Sequence, residues 1–196
     1  MQILKDEIRD VILNNAKKLF LKNGFEKTSM VAIAKCSGVS KSNIYNYFKS
    51  KDQIYAILTI SIRSKLKEFS AIFSSNEFNH PFGSEGFNLE LSCNIYNYIL
   101  KNKEDFLLLM NSSHNTPYES IKESIIMEMS THFKNSISSK KNDYDYYVIE
   151  IIARNLLEGF IYIALNRERR KDIETDLFLL IKYHIEGIRS LIKDSE

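Results

Sequence analysis

The chain has 196 residues, of which 44% are hydrophobic, and a formal net charge of +2. It contains no run of about 18 apolar residues, which excludes an ordinary membrane-spanning helix. The N-terminus, MQILKDEIRD, carries acidic residues where a secretory signal would be apolar. We therefore expect a cytoplasmic protein without a membrane partner. The charge is uneven, because residues 1–55 hold 10 Lys and Arg against 5 Asp and Glu, whereas residues 56–196 hold 17 against 20.

The first two predicted helices are separated by a short turn. Apolar residues recur at helical spacing over residues 4–23, which predicts the first helix. Gly24 follows it, and glycine readily adopts the left-handed conformation in which helices end. Either Thr28 or Ser29 caps the second helix, and Gly38 makes the turn that ends it.

Two further helices follow directly. Ser40 is placed to cap a third helix over residues 41–46, although its hydroxyl is also a candidate DNA contact. Ser50 and Gln53, three residues apart, form a capping-box pattern that opens a fourth helix over about residues 52–69. The first 51 residues thus predict a three-helix unit with a helix-turn-helix.

The rest of the chain is also predicted to be helical. Residues 70–86 lose the periodicity and contain Ser, Asn, Pro81 and Gly83, which indicates a loop. No convincing strand pattern occurs, so the predicted fold class is all-α with about nine helices. The remaining helices are expected at about 87–110, 116–138, 144–166 and 175–193.

The third helix has the composition of an element that enters the DNA major groove. It is short, basic and rich in hydroxyl and amide groups, so its N-terminal half must contact the bases. Asn43 can bond adenine at two positions, Ser42 can donate or accept, and Lys41 can reach guanine or phosphate. The basic excess of residues 1–55 coincides with this motif and favours phosphate attraction.

These residues resemble a known family. From Arg9 to Leu58 the sequence is similar to the DNA-binding domain of TetR-family transcriptional regulators. One departure is that Ser42 and Asn43 follow Ser40-Lys41, where the family often has glycine, and another is that Val31-Ala32 replaces charged residues. The matching residues are Arg9, Ile12, Ala16, Leu19-Phe20, Gly24-Phe25, Thr28-Ser29-Met30, Ile33-Ala34, Gly38-Val39-Ser40-Lys41, Ile44-Tyr45, Tyr47-Phe48 and Ser50-Lys51-Asp52.

The resemblance adds contacts outside the base-reading residues. It implies that Tyr45 and Tyr47 touch phosphate or thymine methyl groups. Thr28 and Lys51 lie at the starts of the second and fourth helices, where they are expected to grip the DNA backbone. The predicted DNA-binding set is Thr28, Ser40, Lys41, Ser42, Asn43, Tyr45, Tyr47 and Lys51.

A second predicted region, residues 52–196, would bind a ligand and dimerise. Apolar residues recur at four-three spacing in the last two helices, which favours an interhelical seam, although the same stripes could form intrachain core. The resemblance implies a four-helix bundle made by these two helices of each subunit. The predicted dimer residues are Ile152, Leu156, Gly159, Phe160, Ile163, Leu177, Ile181, His184, Ile188 and Leu191.

The middle of the chain is rich in aromatic and Met residues with isolated polar groups, a composition typical of a small-molecule site or simply of core. The resemblance implies that an effector of unknown identity would bind here and shift the fourth helix. The predicted ligand-binding residues are Phe87, Tyr96, Met110, His114, Met127, Phe133, Tyr147, Asn155, Glu158 and Tyr162.

The leading functional hypothesis is a ligand-responsive, dimeric transcriptional regulator, most simply a repressor that binds a palindromic operator and is released by a small molecule. An activator or a DNA-binding division or replication regulator is the first alternative. A small-molecule carrier or an enzyme on the same helical scaffold is an alternative of another class. The sequence shows no catalytic constellation and no metal spacing, so no enzyme activity, cofactor or metal is expected. Cys36 and Cys93 are interpreted as reduced, packed thiols.

Overall fold

The computed structural model describes residues 2–75, 79–81, 83–111, 116, 118–137 and 146–193. Within these ranges all regular structure is helical, with nine α-helices and a 3-10 helix at Leu100–Asn102, which confirms the predicted all-α class. The α-helices are α1 (Gln2–Asn23), α2 (Met30–Cys36), α3 (Lys41–Ile44), α4 (Lys51–Ser75), α5 (Glu85–Tyr98), α6 (Lys103–Asn111), α7 (Ser120–Ile137), α8 (Tyr146–Asn166) and α9 (Arg170–Lys193).

Several helix boundaries differ from the prediction, and the helix expected over about residues 87–110 is divided into α5, the 3-10 helix and α6. Helix α4 continues to Ser75, beyond the expected end at residue 69, because residues 70–75 contain no Gly or Pro that would stop it. Helix α9 begins at Arg170 rather than 175, since Arg170 and Glu174 pair at 2.9 Å across one turn of what looked like a charged loop. Helix α3 ends at Ile44, and Tyr45 is its C-terminal cap.

The chain divides into two compact units. Unit 1 comprises Met1–Ser64 and Glu104–Glu119, and unit 2 comprises Lys65–Lys103 and Ser120–Glu196. The boundary at residue 51 between a DNA-binding and a ligand-binding region stays a prediction. The contacts within the chain place the first part of α4 in the same unit as α1–α3.

Three aromatic rings lie at the centre of unit 1. The Phe20 ring lies 5.6 Å from Phe25 and 5.4 Å from Tyr55, and Tyr55 donates a 2.7 Å hydrogen bond to the Leu108 carbonyl. Burial raises the pKa of the Tyr55 phenol, and the neighbouring Tyr118 adds to the shift. The buried core residues of this unit are Ile12, Ala16, Phe20, Phe25, Ile33, Ala34, Ile44, Phe48, Ile54, Tyr55 and Leu108.

An ion-pair cluster joins α1 to α6 inside unit 1. The Lys17 ammonium lies 2.7 Å from Asp105 and 3.0 Å from Glu104. Partial burial acts to lower the pKa of Lys17, but its hydrogen bonds to Asp105 and Glu104 outweigh that effect and the pKa is raised. The first turn of α6 is therefore joined to α1 although the two helices lie far apart along the chain.

Unit 2 is built on α5, α7, α8 and α9, which pack against one another. Its core includes Phe133 of α7, Ala153 of α8 and Leu177 of α9, each no more than 1% exposed. Gly159 of α8 lies so close to Leu180 of α9 that an added Cβ would sit 2.5 Å from the Leu180 Cδ2 atom. The absence of a side chain at Gly159 therefore lets α8 and α9 pack closely at this point.

Candidate nucleic-acid interface

Helix α3 is positioned by a tight turn and a serine cap. Gly38 adopts a positive φ of 67°, and the Val39 amide donates to the Ala34 carbonyl at 3.0 Å, which closes α2. The Ser40 hydroxyl then accepts from the Asn43 amide at 3.1 Å. The cap role of Ser40 is thus confirmed, and Ser29, not Thr28, caps α2.

In α3 and the turn that follows it, the apolar side chains are buried and most polar side chains are exposed. Ile44 and Phe48 are 0% and 1% exposed, so they anchor the segment to the core of unit 1. Lys41 and Ser42 are exposed, and Tyr45 is 49% exposed. A four-residue helix cannot hold its own shape in water, so these anchors present its polar side.

Two further predicted contacts, Asn43 and Tyr47, are half-buried. Tyr47 packs against the unit 1 core. The Asn43 side-chain oxygen accepts from the Asn46 side-chain amide at 3.0 Å. The sequence analysis did not include Asn46 among the predicted DNA contacts. The one feature that could have indicated it is its side-chain amide, three residues after that of Asn43.

The prediction for Thr28 is wrong for its side chain. Thr28 is 2% exposed, and its hydroxyl donates to the carbonyls of Gly24 at 2.8 Å and Leu19 at 3.3 Å. Those carbonyls belong to the end of α1, where backbone acceptors lack helical partners. The hydroxyl therefore closes α1 and is not available to a phosphate.

Lys51 also has a structural role that the sequence did not reveal. Its ammonium donates to the carbonyls of Phe25 at 3.0 Å and Glu26 at 3.3 Å, and lies 4.2 Å from the centre of the Phe25 ring. An ammonium has three N–H donors, so two are used by the turn after α1. A phosphate contact from the remaining donor stays a prediction.

Other cations of unit 1 are free to attract phosphate. Lys27, Lys35, Lys41 and Lys49 are exposed. No acidic partner of these four is found in the part of the chain that the structure describes. Lys35 and Lys49 were not among the predicted contacts, and Lys41 and Lys49 flank α3 in the sequence.

Comparisons with known proteins agree with this arrangement. A family profile described as "Bacterial regulatory proteins, tetR family" matches residues 12–57. The HTH-type transcriptional regulator QacR of Staphylococcus aureus (strain Mu50 / ATCC 700699) is 29% identical over 145 residues, which cover 73% of this chain and 65% of QacR. The chain thus matches just under two thirds of that relative's length.

Solved structures share the whole fold. A TetR family transcriptional regulator from Chloroflexus aurantiacus J-10-FL has a TM-score of 0.59 at 15% identity, over 96% of this chain and 93% of that one. A TetR-family regulator from Mesorhizobium loti MAFF303099 has a TM-score of 0.51 at 16% identity, over 95% and 96% of the two chains. By sequence, residues 12–57 of this chain therefore resemble the TetR family. Structural likeness at this identity concerns the fold alone, whereas the N-terminal match rests on sequence.

Most residues of the predicted dimer seam are buried within unit 2. Leu177, Ile181 and Ile188 are no more than 1% exposed, and His184 is 8% exposed with its Nδ1 2.9 Å from the Leu180 carbonyl oxygen. Leu156, Phe160 and Ile163 are likewise buried, Ile152 and Gly159 are half-buried, and the Leu191 side chain lies outside the described residues. The apolar periodicity was right, but it marks the face that packs inside unit 2.

A different face of the same two helices is apolar and exposed. On α8, Ile151 is 55% exposed, Tyr162 69% and Leu165 53%. On α9, Leu179 is 56% exposed and Tyr183 74%. We call these five residues the outer face.

The structure places the predicted ligand residues in different environments. Phe87, Met110 and Phe133 are buried and Tyr96 is half-buried, whereas His114 lies outside the described residues. The other five assignments are corrected, because their side chains face solvent: Met127, Tyr147, Asn155, Glu158 and Tyr162. In α8 the exposed positions follow the helical repeat, and Glu158 pairs with Lys122 at 2.5 Å.

A cavity of about 270 Å³ lies in unit 1, away from most of the predicted ligand residues. Phe25 and the first turns of α4 form one part of its wall, and Thr116 and Tyr118 form another. Tyr118 stacks on Tyr55 at 6.0 Å, and the Arg63 guanidinium lies 4.3 Å from its ring centre. No pattern in the sequence indicated this cavity, because the residues on its two sides are about sixty positions apart in the chain.

The described residues hold no group of three or more His, Cys, Asp or Glu arranged to bind a metal ion. Among them, no helix combines the length and apolar content that a membrane span requires. Cys36 is exposed and Cys93 half-buried, so the expectation that both thiols are packed is wrong for Cys36.

Proposed function

We propose that this protein is a sequence-specific DNA-binding transcriptional regulator that acts as a repressor. The observation that carries the proposal is helix α3 with the turn that follows it: the apolar residues Ile44 and Phe48 are buried, whereas Lys41, Ser42 and Tyr45 face solvent. A surface helix with a polar, cationic exposed side fits the major groove. The family match over residues 12–57 supports the same role.

Selection of bound sequences from a random double-stranded DNA pool tests this proposal. We expect an enriched palindrome, because a two-fold dimer presents two copies of α3 to half-sites about 34–36 Å apart or a multiple of that distance. Absence of any enriched sequence, with only weak salt-sensitive binding, would contradict it and favour a carrier or enzyme on this scaffold.

Variants then locate the contacts. Asn43→Ala is expected to cost about 1–3 kcal/mol of specific binding and to relax base preference at one position of each half-site. Lys49→Ala should weaken binding to all sequences alike and reduce the salt dependence. Lys171→Ala, an exposed cation of α9, is the matched control, and equal loss from it would show that charge alone is being measured.

We further propose that dimerisation uses the outer face of α8 and α9. A monomer would leave the exposed Tyr and Leu residues of both helices in water. Leu165→Arg should convert a dimer of twice the 22.9-kDa subunit mass into monomers. Ile60→Arg changes another exposed apolar residue, 64% exposed on α4, and should leave the mass unchanged in sedimentation.

Release by a small molecule completes the proposal. The cavity of unit 1 is lined by Asp52, Gln53 and Ala56 in the first turns of α4, directly after the α3 segment. A ligand there would release DNA only if it binds the DNA-incompetent conformation more tightly.

Ala56→Phe separates this cavity from the middle region predicted from sequence. The added ring would fill part of the 270 Å³ space. Effector-driven release from the selected DNA should then be lost if the effector occupies the cavity, and retained if it binds near Phe87 and Phe133. Phe133→Ala is the reciprocal variant.

A further inference from the structure

Asn46 is joined to Asn43 by two hydrogen bonds. Its backbone amide donates to the Asn43 carbonyl, and its side-chain amide donates to the Asn43 Oδ1 atom, both at 3.0 Å. The two residues are three apart, which places them side by side at the end of α3. Their amides therefore act as one polar unit.

The backbone beneath this pair is fixed. The Ser40 hydroxyl accepts from the Asn43 amide, and the Ile44 amide donates to the Ser40 carbonyl at 3.1 Å. Ile44, the next residue, is fully buried. The orientation of the pair is thus set by the fold and not by contact with a partner.

The pair leaves one whole amino group and one whole carbonyl oxygen without a hydrogen bond inside the described residues. The Asn43 side-chain N–H₂ and the Asn46 Oδ1 atom have no partner among the described residues. If both amides were reversed, Asn43 would donate to Asn46, and the free groups would be the Asn43 oxygen and the Asn46 N–H₂. In either orientation the pair presents one amide N–H₂ group as a donor and one amide oxygen as an acceptor.

This combination selects among the bases. In the major groove adenine carries one acceptor, N7, and one donor, the N6 amino group, whereas guanine carries two acceptors, cytosine a donor only, and thymine an acceptor beside a methyl group. We propose that Asn43 and Asn46 together recognise a single adenine in each half-site, and that Asn46 is a specificity-determining residue. This inference rests on the proposed DNA-binding function.

The hydrogen-bonding groups of Asn43 and Asn46 predict that one substitution should change the preferred base and not only weaken binding. In Asn46→Asp the carboxylate can only accept, so the Asn43 amide must turn to donate to it. The free groups then become two acceptors, which suit the amino donor of cytosine. A residue with only a structural role would produce no such change.

The experiment measures binding of the full-length protein to the selected operator with each of the four bases in turn at every half-site position. The variants are Asn43→Ala, Asn46→Ala, Asn46→Asp and the double alanine variant, each checked for an unchanged melting temperature. We expect Asn43→Ala and Asn46→Ala to lower the adenine preference at the same position by about 5- to 150-fold. The double variant should lose no more than either single one.

Asn46→Asp should shift the preference at that position from adenine towards cytosine. An undiminished adenine preference in Asn46→Ala would overturn the inference, because Asn43 would then act alone. Equal weakening for all four bases would overturn it too, since Asn46 would serve only to shape the helix end. Failure of the wild-type protein to enrich any sequence would instead contradict the proposed function.

Discussion

The N-terminal helices of unit 1 and the long helices of unit 2 are specified in different ways. In unit 1, single residues have local tasks: Ser29 and Ser40 cap helices, and Gly24 and Gly38 adopt positive φ angles of 79° and 67°. In unit 2, α8 and α9 are specified mainly by a repeat of apolar residues. The partner of a capping residue is known from the sequence, because it lies a fixed number of residues away. An apolar repeat shows which face of a helix is buried but not which element covers that face.

The difference explains why one region was interpreted more accurately than the other. The stripe containing Leu177 and Ile181 suggested a seam between subunits, but it is buried within unit 2. The apolar residues outside that stripe, such as Tyr162 and Leu179, are the better sign of an intermolecular face, because a single chain leaves them exposed.

The largest expected effect is in the aromatic core of unit 1. Phe20→Ala should lower the free energy of unfolding by about 3–5 kcal/mol, because it removes a fully buried ring and leaves a cavity. Urea denaturation followed by circular dichroism measures this. A loss below about 1 kcal/mol would show that the site collapses around the smaller residue.

The two faces of α9 should respond oppositely. Ile181→Ala, at a position 1% exposed, should cost about 2–5 kcal/mol of folding free energy with little direct effect on the dimer interface. Leu179→Ala, at a position 56% exposed, should change monomer stability by no more than about 0.5 kcal/mol but weaken dimerisation. Sedimentation at several concentrations beside denaturation separates the two effects, and the reverse ranking would restore the buried stripe as the interface.

Tyr55→Phe tests the link between α4 and α6 inside unit 1. Loss of the 2.7 Å bond from the Tyr55 hydroxyl to the Leu108 carbonyl should cost about 1–3 kcal/mol at neutral pH, and urea denaturation measures this cost.

The same variant should alter the dependence of stability on alkali. Burial raises the pKa of Tyr55, so above the ordinary tyrosine pKa of about 10 the unfolded chain loses a proton that the folded chain keeps. Stability therefore falls as pH rises, and this part of the fall should vanish in Tyr55→Phe. An identical alkaline slope in both proteins would contradict the assignment.

The smallest effect compares two glycines of unit 2. Gly187→Ala should stabilise the monomer by about 0.4–1 kcal/mol, because an added Cβ would meet nothing within 4 Å and alanine favours helix. Gly159→Ala should not gain this amount, since its Cβ would press on Leu180. Thermal melting below the dimerisation concentration gives both values, and equal stabilisation would mean that Leu180 moves aside without cost.

The sequence predicted the all-α class, the helix-turn-helix and its serine caps because these depend on neighbours in the chain. It did not predict that the Thr28 hydroxyl and the Lys51 ammonium are occupied by carbonyls of the turn that follows α1, since those bonds form only after the helices pack. The cavity beside Tyr118 was missed for the same reason. The bond between Asn43 and Asn46 lies within reach of sequence reasoning, but spacing alone does not show that two exposed amides meet.

In and directly after α3, different residues provide the attachment to the core and the exposed polar surface, and this has an evolutionary consequence. Ile44 and Phe48 supply the attachment to the core, so Lys41 and Ser42 carry little of the folding free energy. Surface substitutions of this kind usually change stability by no more than about 0.5 kcal/mol. Under the proposed DNA-binding function, a duplicated copy of the gene therefore needs only one or two substitutions at these positions to change its preferred DNA sequence, and its fold is preserved.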